Sequence, residues 1–157
     1  MSNKLIVPTK PCESCPYRKD VPRGIWDKSE YEKLRDYDAG PQGQQSFSAF
    51  LCHHSPQIGQ DAVCRGWLSV HSESVAVRLM IIKGTVTPEQ VYAETPCELY
   101  ASGNEAADAG IKGIKRPSIK AREAIGKLTK AKASRSRLFT KKGKVGTMRQ
   151  KAKRAQA

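Results

Sequence analysis

Apolar positions in this chain come in short bursts, and few keep one period for long. Tyr31, Leu34 and Tyr37 recur at three-residue steps, which sets them on one face of a helix. Asp27 stands where its N-cap belongs, with Glu30 placed to reach back as a capping box, and Gly40-Pro41 marks its end. Further on, Phe47, Ala49 and Leu51 alternate with Ser48 and Phe50, the period of a short strand ending at Cys52. A loop with Pro56 and Gly59 follows. From Cys64 to Lys83 the pattern predicts helix, broken near Ser72–Ser74 and closed by Gly84.

The second half reads as short helices separated by turn residues. Thr87-Pro88-Glu89-Gln90 is a strong start: a cap, a proline at the first position, and Gln90 as box partner. Pro96 stops that segment. The next runs from about Ser102 to Ala109, with Gly110 as its expected end. Ser118 caps a last helix, with Ala121, Ala124, Ile125 and Leu128 on one face. After Ser134 the apolar pattern stops, and the remainder is expected to be disordered when free. The fold class predicted is α+β: a small, mostly helical, metal-stabilised domain with a short strand pair over residues 1–128, then a basic tail over 129–157. No internal repeat is visible.

Charge sharpens that division. Residues 1–110 carry 11 Lys/Arg against 14 Asp/Glu, whereas residues 111–157 carry 17 against the single acid Glu123. A near-neutral body therefore bears a strongly basic arm. Such arms bind polyanions by counterion release, with little reading of sequence. Lys141, Lys142, Lys144, Arg149, Lys151, Lys153 and Arg154 are the candidate phosphate-binding residues, and Phe139 is the arm's one aromatic, so base stacking is not its mode. The bland alternative is a tail that only keeps the protein soluble.

The candidate chemistry lies in the cysteines. Cys12-Glu13-Ser14-Cys15 has the two-residue spacing that brings two thiolates onto one ion, and Cys52 and Cys64 supply a distant second pair. Zinc needs four ligands in a tetrahedron. A hydrophobic fraction of 38% leaves a small core that often needs a metal or disulfides. The apolar run at Leu5–Val7 is too short for an export signal, and no stretch is long enough to span a membrane. A cytoplasmic location and reduced thiols are expected, and the odd count of five cysteines also argues against a full disulfide framework. Cys12, Cys15, Cys52 and Cys64 are thus read as one structural zinc site, with an iron–sulfur cluster as the alternative. His53 and His54 compete for a ligand place or supply supporting hydrogen bonds. His71, seven residues after Cys64, is too far along a helix to share its ion. Cys97 has no neighbouring partner and reads as a buried free thiol. Residues Pro11-Cys12-Glu13-Ser14-Cys15 and His71-Ser72-Glu73 contain both halves of a zinc deaminase signature, but in reversed order. A non-enzymatic protein is expected.

The string Pro11-Cys12-Glu13-Ser14-Cys15-Pro16-Tyr17-Arg18-Lys19-Asp20-Val21-Pro22, with Gly24 and Trp26, resembles a family of small cysteine-rich proteins of unknown function from actinobacteria and their bacteriophages. The likeness continues at Phe50-Leu51-Cys52-His53, Cys64-Arg65-Gly66-Trp67 and Ser102-Gly103-Asn104-Glu105-Ala106-Ala107, over roughly residues 10–128. It implies the Cys12/Cys15/Cys52/Cys64 framework and a phage origin, and no activity. The resulting expectation is a metal-binding module whose arm binds DNA, RNA or a nucleoprotein machine such as RNA polymerase or the ribosome. Its phage-encoded form would redirect host transcription or translation. The rival expectations are a protein-interaction module acting on a host protein and an iron–sulfur redox or sensor protein.

Overall fold

Tyr31 is the side chain about which the helices assemble. The computed structural model describes residues 5–40, 46–55 and 59–130. Within these, α1 (Lys28–Glu32) runs straight into a 3-10 turn over Lys33–Tyr37. Then come α2 (Arg65–Val70), α3 (Val75–Ile82), α4 (Pro88–Tyr92) and α5 (Gly103–Ile114). A final helix, α6, covers 119–130. Tyr31 is buried on α1. Its hydroxyl accepts from the backbone of Ile25 at 3.1 Å and of Trp26 at 3.4 Å, which pins the loop before the helix.

The long helix α5 lies on α1 and the 3-10 turn through a face of small residues. A Cβ at Gly110 would come within 2.1 Å of the Tyr31 ring, and one at Gly103 within 2.1 Å of the Leu34 carbonyl oxygen. Ala106 and Ala107, both buried, fill the same face. This corrects the expected end at Gly110: the helix continues to Ile114 because that glycine is there for close approach, not for termination. Ser102 caps it as expected, accepting from Glu105 N.

Two further boundaries differ from the sequence pattern. Asp27 occupies the N-cap of α1 but makes no side-chain cap, and Glu30 pairs with Lys33 at 2.7 Å instead of reaching back. The segment also ends at Tyr37, before Gly40-Pro41. Asp38 leaves helical conformation there and turns its carboxylate onto the start of α5. It accepts from Gly103 N at 2.8 Å and Asn104 N at 2.6 Å. His71 Nε2 meets the same carboxylate at 2.8 Å, so three elements meet at one acid.

The other helix signals appear in the structure. The Thr87 capping box is complete, with Gln90 N to Thr87 Oγ1 at 3.3 Å and Thr87 N to Gln90 Oε1 at 2.9 Å. The helix it opens ends at Tyr92, before Pro96. The break between α2 and α3 falls at His71–Ser74, and Ser74 caps α3. On α6, Ser118 Oγ accepts from Ala121 N at 3.1 Å. Ala121, Ala124, Ile125 and Leu128 pack on Val21 and Ile25 as a small second core.

The fold is mostly helical, and extended pairing among the described residues is limited to isolated bridges. Leu51 pairs antiparallel with Val63, Ile6 parallel with Ala62, and Arg18 antiparallel with Leu99. The expected strand over 47–52 is therefore reduced to a single rung. Phe47 and Leu51 are exposed, and Phe50, from the opposite set of the alternation, is the residue that enters the core.

Replacing Gly110 by Ala should cost about 1–3 kcal/mol, the usual range for overpacking, since the Tyr31 ring has to move. Gly126, whose Cβ position opens onto empty space, provides the control. Gly126→Ala should be neutral or stabilise by up to about 1 kcal/mol. Chemical denaturation of both variants checks this; equal effects would show that α5 does not need the close approach.

Candidate metal centre

The first cysteine pair sits on a tight turn held from three sides. Cys15 N donates to Cys12 O at 3.1 Å, and Arg18 N to Cys15 O at 3.2 Å. Trp26 Nε1 donates to Ser14 O at 2.9 Å, clamping the tip of the turn. Arg18 Nη1 reaches the carbonyls of Pro11 and Cys12, while the rest of its guanidinium grips Asp20 at 2.6 Å. The second pair comes from the antiparallel rung. Cys52 N donates to Ala62 O and Cys64 N to Phe50 O, both at 2.7 Å. Flanking the Leu51–Val63 pair, Cys52 and Cys64 emerge on one face of that ladder.

The two pairs meet. Cys15 Sγ lies 3.9 Å from Cys64 Sγ. Two sulfurs on one tetrahedral zinc, each at 2.3 Å, are separated by about 3.8 Å. Cys12 interacts electrostatically with both Cys15 and Cys52, so all four thiols share one neighbourhood. They stand as neighbouring pairs: among the described residues no three His, Cys, Asp or Glu side chains surround one finished coordination centre.

Backbone donors point at these sulfurs. Cys12 receives a hydrogen bond from the Ser14 backbone, Cys15 from Tyr17 and Cys52 from His54, in each case from the residue two positions on. Each favours the thiolate. The sulfurs oppose one another all the same. The Cys12 thiol is held above its usual value, first by its hydrogen bond to Cys15, against a smaller opposite pull from Cys52, and then by burial. Cys52 is raised by Cys12 and then by burial. Cys15 is lowered by Cys12, but Cys64 and burial outweigh that and raise it. A cation in their midst would reverse this balance, since a coordinating thiol is deprotonated outright.

The rim around the sulfurs is crowded. A Cβ on Gly66 would come within 2.6 Å of Cys15 Sγ, so this position beside the sulfurs has to be glycine. Arg65, next to Cys64, is buried and directs its two terminal nitrogens at the carbonyls of Gln90 and Ala93, the last turn of α4. Burial without an acidic partner lowers its pKa. The His53 ring stacks on Trp26, centroids 4.3 Å apart, and so braces the indole that clamps the turn. His54 lines a groove of about 720 Å³ with Cys12, Arg18 and Cys97. His71 is turned to Asp38 and Trp67, whose ring it stacks on. Cys97, expected to be buried, is half-buried at that groove because Pro96 and Cys97 run along its edge.

Lys141, Lys142, Lys144, Arg149, Lys151, Lys153 and Arg154 lie outside the described residues. The Trp26 clamp, the Gly66 clearance and the backbone donors do not follow from the sequence pattern. The Cys64-x-Gly66-Trp67 string is the one sign in the sequence of the Gly66 clearance.

Two outcomes test this arrangement. Raised thiol pKa values mean that the metal-free fold keeps its stability below the unfolded value of 9.0 and loses it as pH rises toward the folded values. A metal-loaded protein should show the opposite sense, holding at high pH and losing metal in acid as protons compete for sulfur. Melting curves of both forms between mildly acid and alkaline pH distinguish them. Gly66→Ala should weaken metal binding by displacing Cys15 Sγ, and a competition titration with a chromogenic chelator measures it; wild-type affinity would show that the clearance is immaterial.

No curated protein and no solved structure matches this chain. One family does, over residues 7–123, which takes in all four cysteines of the site and the whole of α5. The chain belongs to DUF6283, a family of unknown function.

Proposed function

We propose that this protein is a non-enzymatic module in which Cys12, Cys15, Cys52 and Cys64 hold one structural zinc ion, and whose basic arm binds nucleic acid. The observation that carries the first half is the 3.9 Å approach of Cys15 and Cys64 sulfurs from two separate segments, with backbone N–H groups aimed at three of the four sulfurs. Four thiolates close a tetrahedron and leave no open position for water or substrate, which is the pattern of a structural site. The spacing also favours a single ion over a four-iron cluster, in which each thiolate sits on its own iron and the sulfurs stand further apart. Bound there, the ion would tie the Cys12–Cys15 turn to the Cys52/Cys64 rung.

Elemental analysis of freshly purified protein should give one zinc per chain, and Cys12→Ser or Cys64→Ser should lose it together with near-UV circular dichroism. Cys97→Ser should keep both. Brown protein with acid-labile sulfide would instead establish the iron–sulfur alternative.

The arm's support is its composition, 17 Lys/Arg against one acid over residues 111–157. DNA, RNA, or an RNA-bearing or DNA-bearing machine such as the ribosome or RNA polymerase presents the phosphates it would neutralise. A phage-encoded regulator of host transcription or translation fits that reading. If the arm neutralises about six phosphates of a duplex, log K should fall against log salt with a slope near −5. Filter binding of the full chain and of a charge-scrambled version tests it. Equal binding by both would leave only a solubilising tail.

A further inference from the structure

We infer that the nucleic-acid surface begins on the folded body, at the α5–α6 corner, where Lys112, Lys115, Arg116, Lys120 and Lys127 form a preset phosphate-binding face. This inference rests on the nucleic-acid reading above and adds residues that reading does not use. All five side chains are exposed. None of the five joins an ion pair among the described residues. Arg18, Lys33, Arg35 and Arg78, on the body, each meet a carboxylate.

The corner is rigidly built. Ser118 caps α6, Arg122 Nε braces back to Pro117 O at 3.4 Å, and Ala121 is fully buried against the Val21–Ile25 loop. A Cβ on Gly113 would strike Arg23, which shows how closely the end of α5 sits on that same loop. Cations presented from such a surface lose little backbone ordering entropy on binding.

Helix electrostatics accounts for only part of the pattern. Lys112 and Lys115 lie at the C-terminal end of α5, where positive charge is favoured. Lys127 lies in the last turn of α6, where charge is likewise favoured, but Lys120 lies in its first turn, where positive charge is disfavoured. Arg116 lies just past the end of α5, so Lys120 is the one cation that helix electrostatics opposes. Lys120 and Lys127 are seven residues apart, about 10.5 Å along the helix. Over that length duplex DNA presents about six phosphate charges.

The partner is a phosphate backbone and not a lipid surface. A basic amphipathic helix binds membranes through its apolar face. That face of α6 is already occupied, by Val21 and Ile25. Duplex is favoured over single strand because no aromatic side chain accompanies the five cations for bases to stack on.

The test uses the full metal-loaded chain carrying K115Q, R116Q and K120Q together, beside a companion with K141Q, K142Q and K144Q in the arm. Near-UV circular dichroism and metal content establish that both fold. Fluorescence anisotropy against a short labelled DNA duplex is read at several salt concentrations. The corner variant should bind on the order of tenfold more weakly at moderate salt, with the log–log slope shallower by about 2.7, three contacts at about 0.9 each. A corner variant that binds as wild type while the arm variant weakens overturns the corner and leaves the arm reading standing. Wild-type protein that does not bind duplex overturns both. A corner variant that loses phosphatidylserine vesicles but keeps duplex overturns it in favour of a membrane surface.

Discussion

Four thiols gathered from two distant segments impose the constraint on which the rest of the structure depends. Sulfurs as close as Cys15 and Cys64, 3.9 Å apart and both buried, cannot all carry charge unless a cation shares the space. Left as thiols they are weak hydrogen-bonding partners and contribute little to holding the Cys12–Cys15 turn against the Cys52/Cys64 rung. Bound to an ion they would lock two parts of the chain that regular secondary structure scarcely joins, since the pairing there is one rung. The surroundings are consistent with that demand. Trp26, His53 and Arg18 fix the turn from outside, and Gly66 leaves the room that Cys15 Sγ requires.

Away from the sulfurs, the fold compensates for its short helices with buried polar ties. Asp38 joins the end of the 3-10 turn to the start of α5 and to His71. Arg65 answers the end of α4 with two donors, where the helix carbonyls have no partners of their own. Each tie satisfies backbone groups at a helix terminus, and each sits beside one of the segments that carry a cysteine. α2 is the common member: Cys64 precedes it, Arg65 and Gly66 open it, and His71 closes it. A few residues therefore connect the cysteine cluster, α4 and α5. If the thiols hold an ion as proposed, folding and metal binding become one event.

Local signals written in side chains are legible in the sequence. Thr87 with Gln90 and Ser118 before the Ala121–Leu128 face each specify a helix start through side-chain atoms, and both helices start there. Signals with two meanings are not legible in this way. Gly110 is equally good as a terminator and as a contact surface, and only the Tyr31 ring decides between them. Asp27 and Glu30 have the spacing of a capping box, but Lys33 competes for Glu30 and wins. At the sulfurs, the two-residue spacing of Cys12 and Cys15 marks the tight turn, held by Cys15 N to Cys12 O at 3.1 Å. The donors from Ser14, Tyr17 and His54 are backbone groups, invisible to any reading of residue types.

Positive charge gathers toward the C-terminal end of the chain. Where the chain folds around the sulfurs, Arg35 is held between Glu32 and Asp108, and Arg18 is turned back on Asp20. Such pairs add little stability at the surface. The body's near-neutrality comes from its balance of 11 Lys/Arg against 14 Asp/Glu over residues 1–110. Past Gly110 the acids all but stop while the fold does not, because α6 is still anchored by Ala121 and Leu128. Described structure and positive charge thus overlap on α6. In that overlap a phosphate backbone would meet cations already in place.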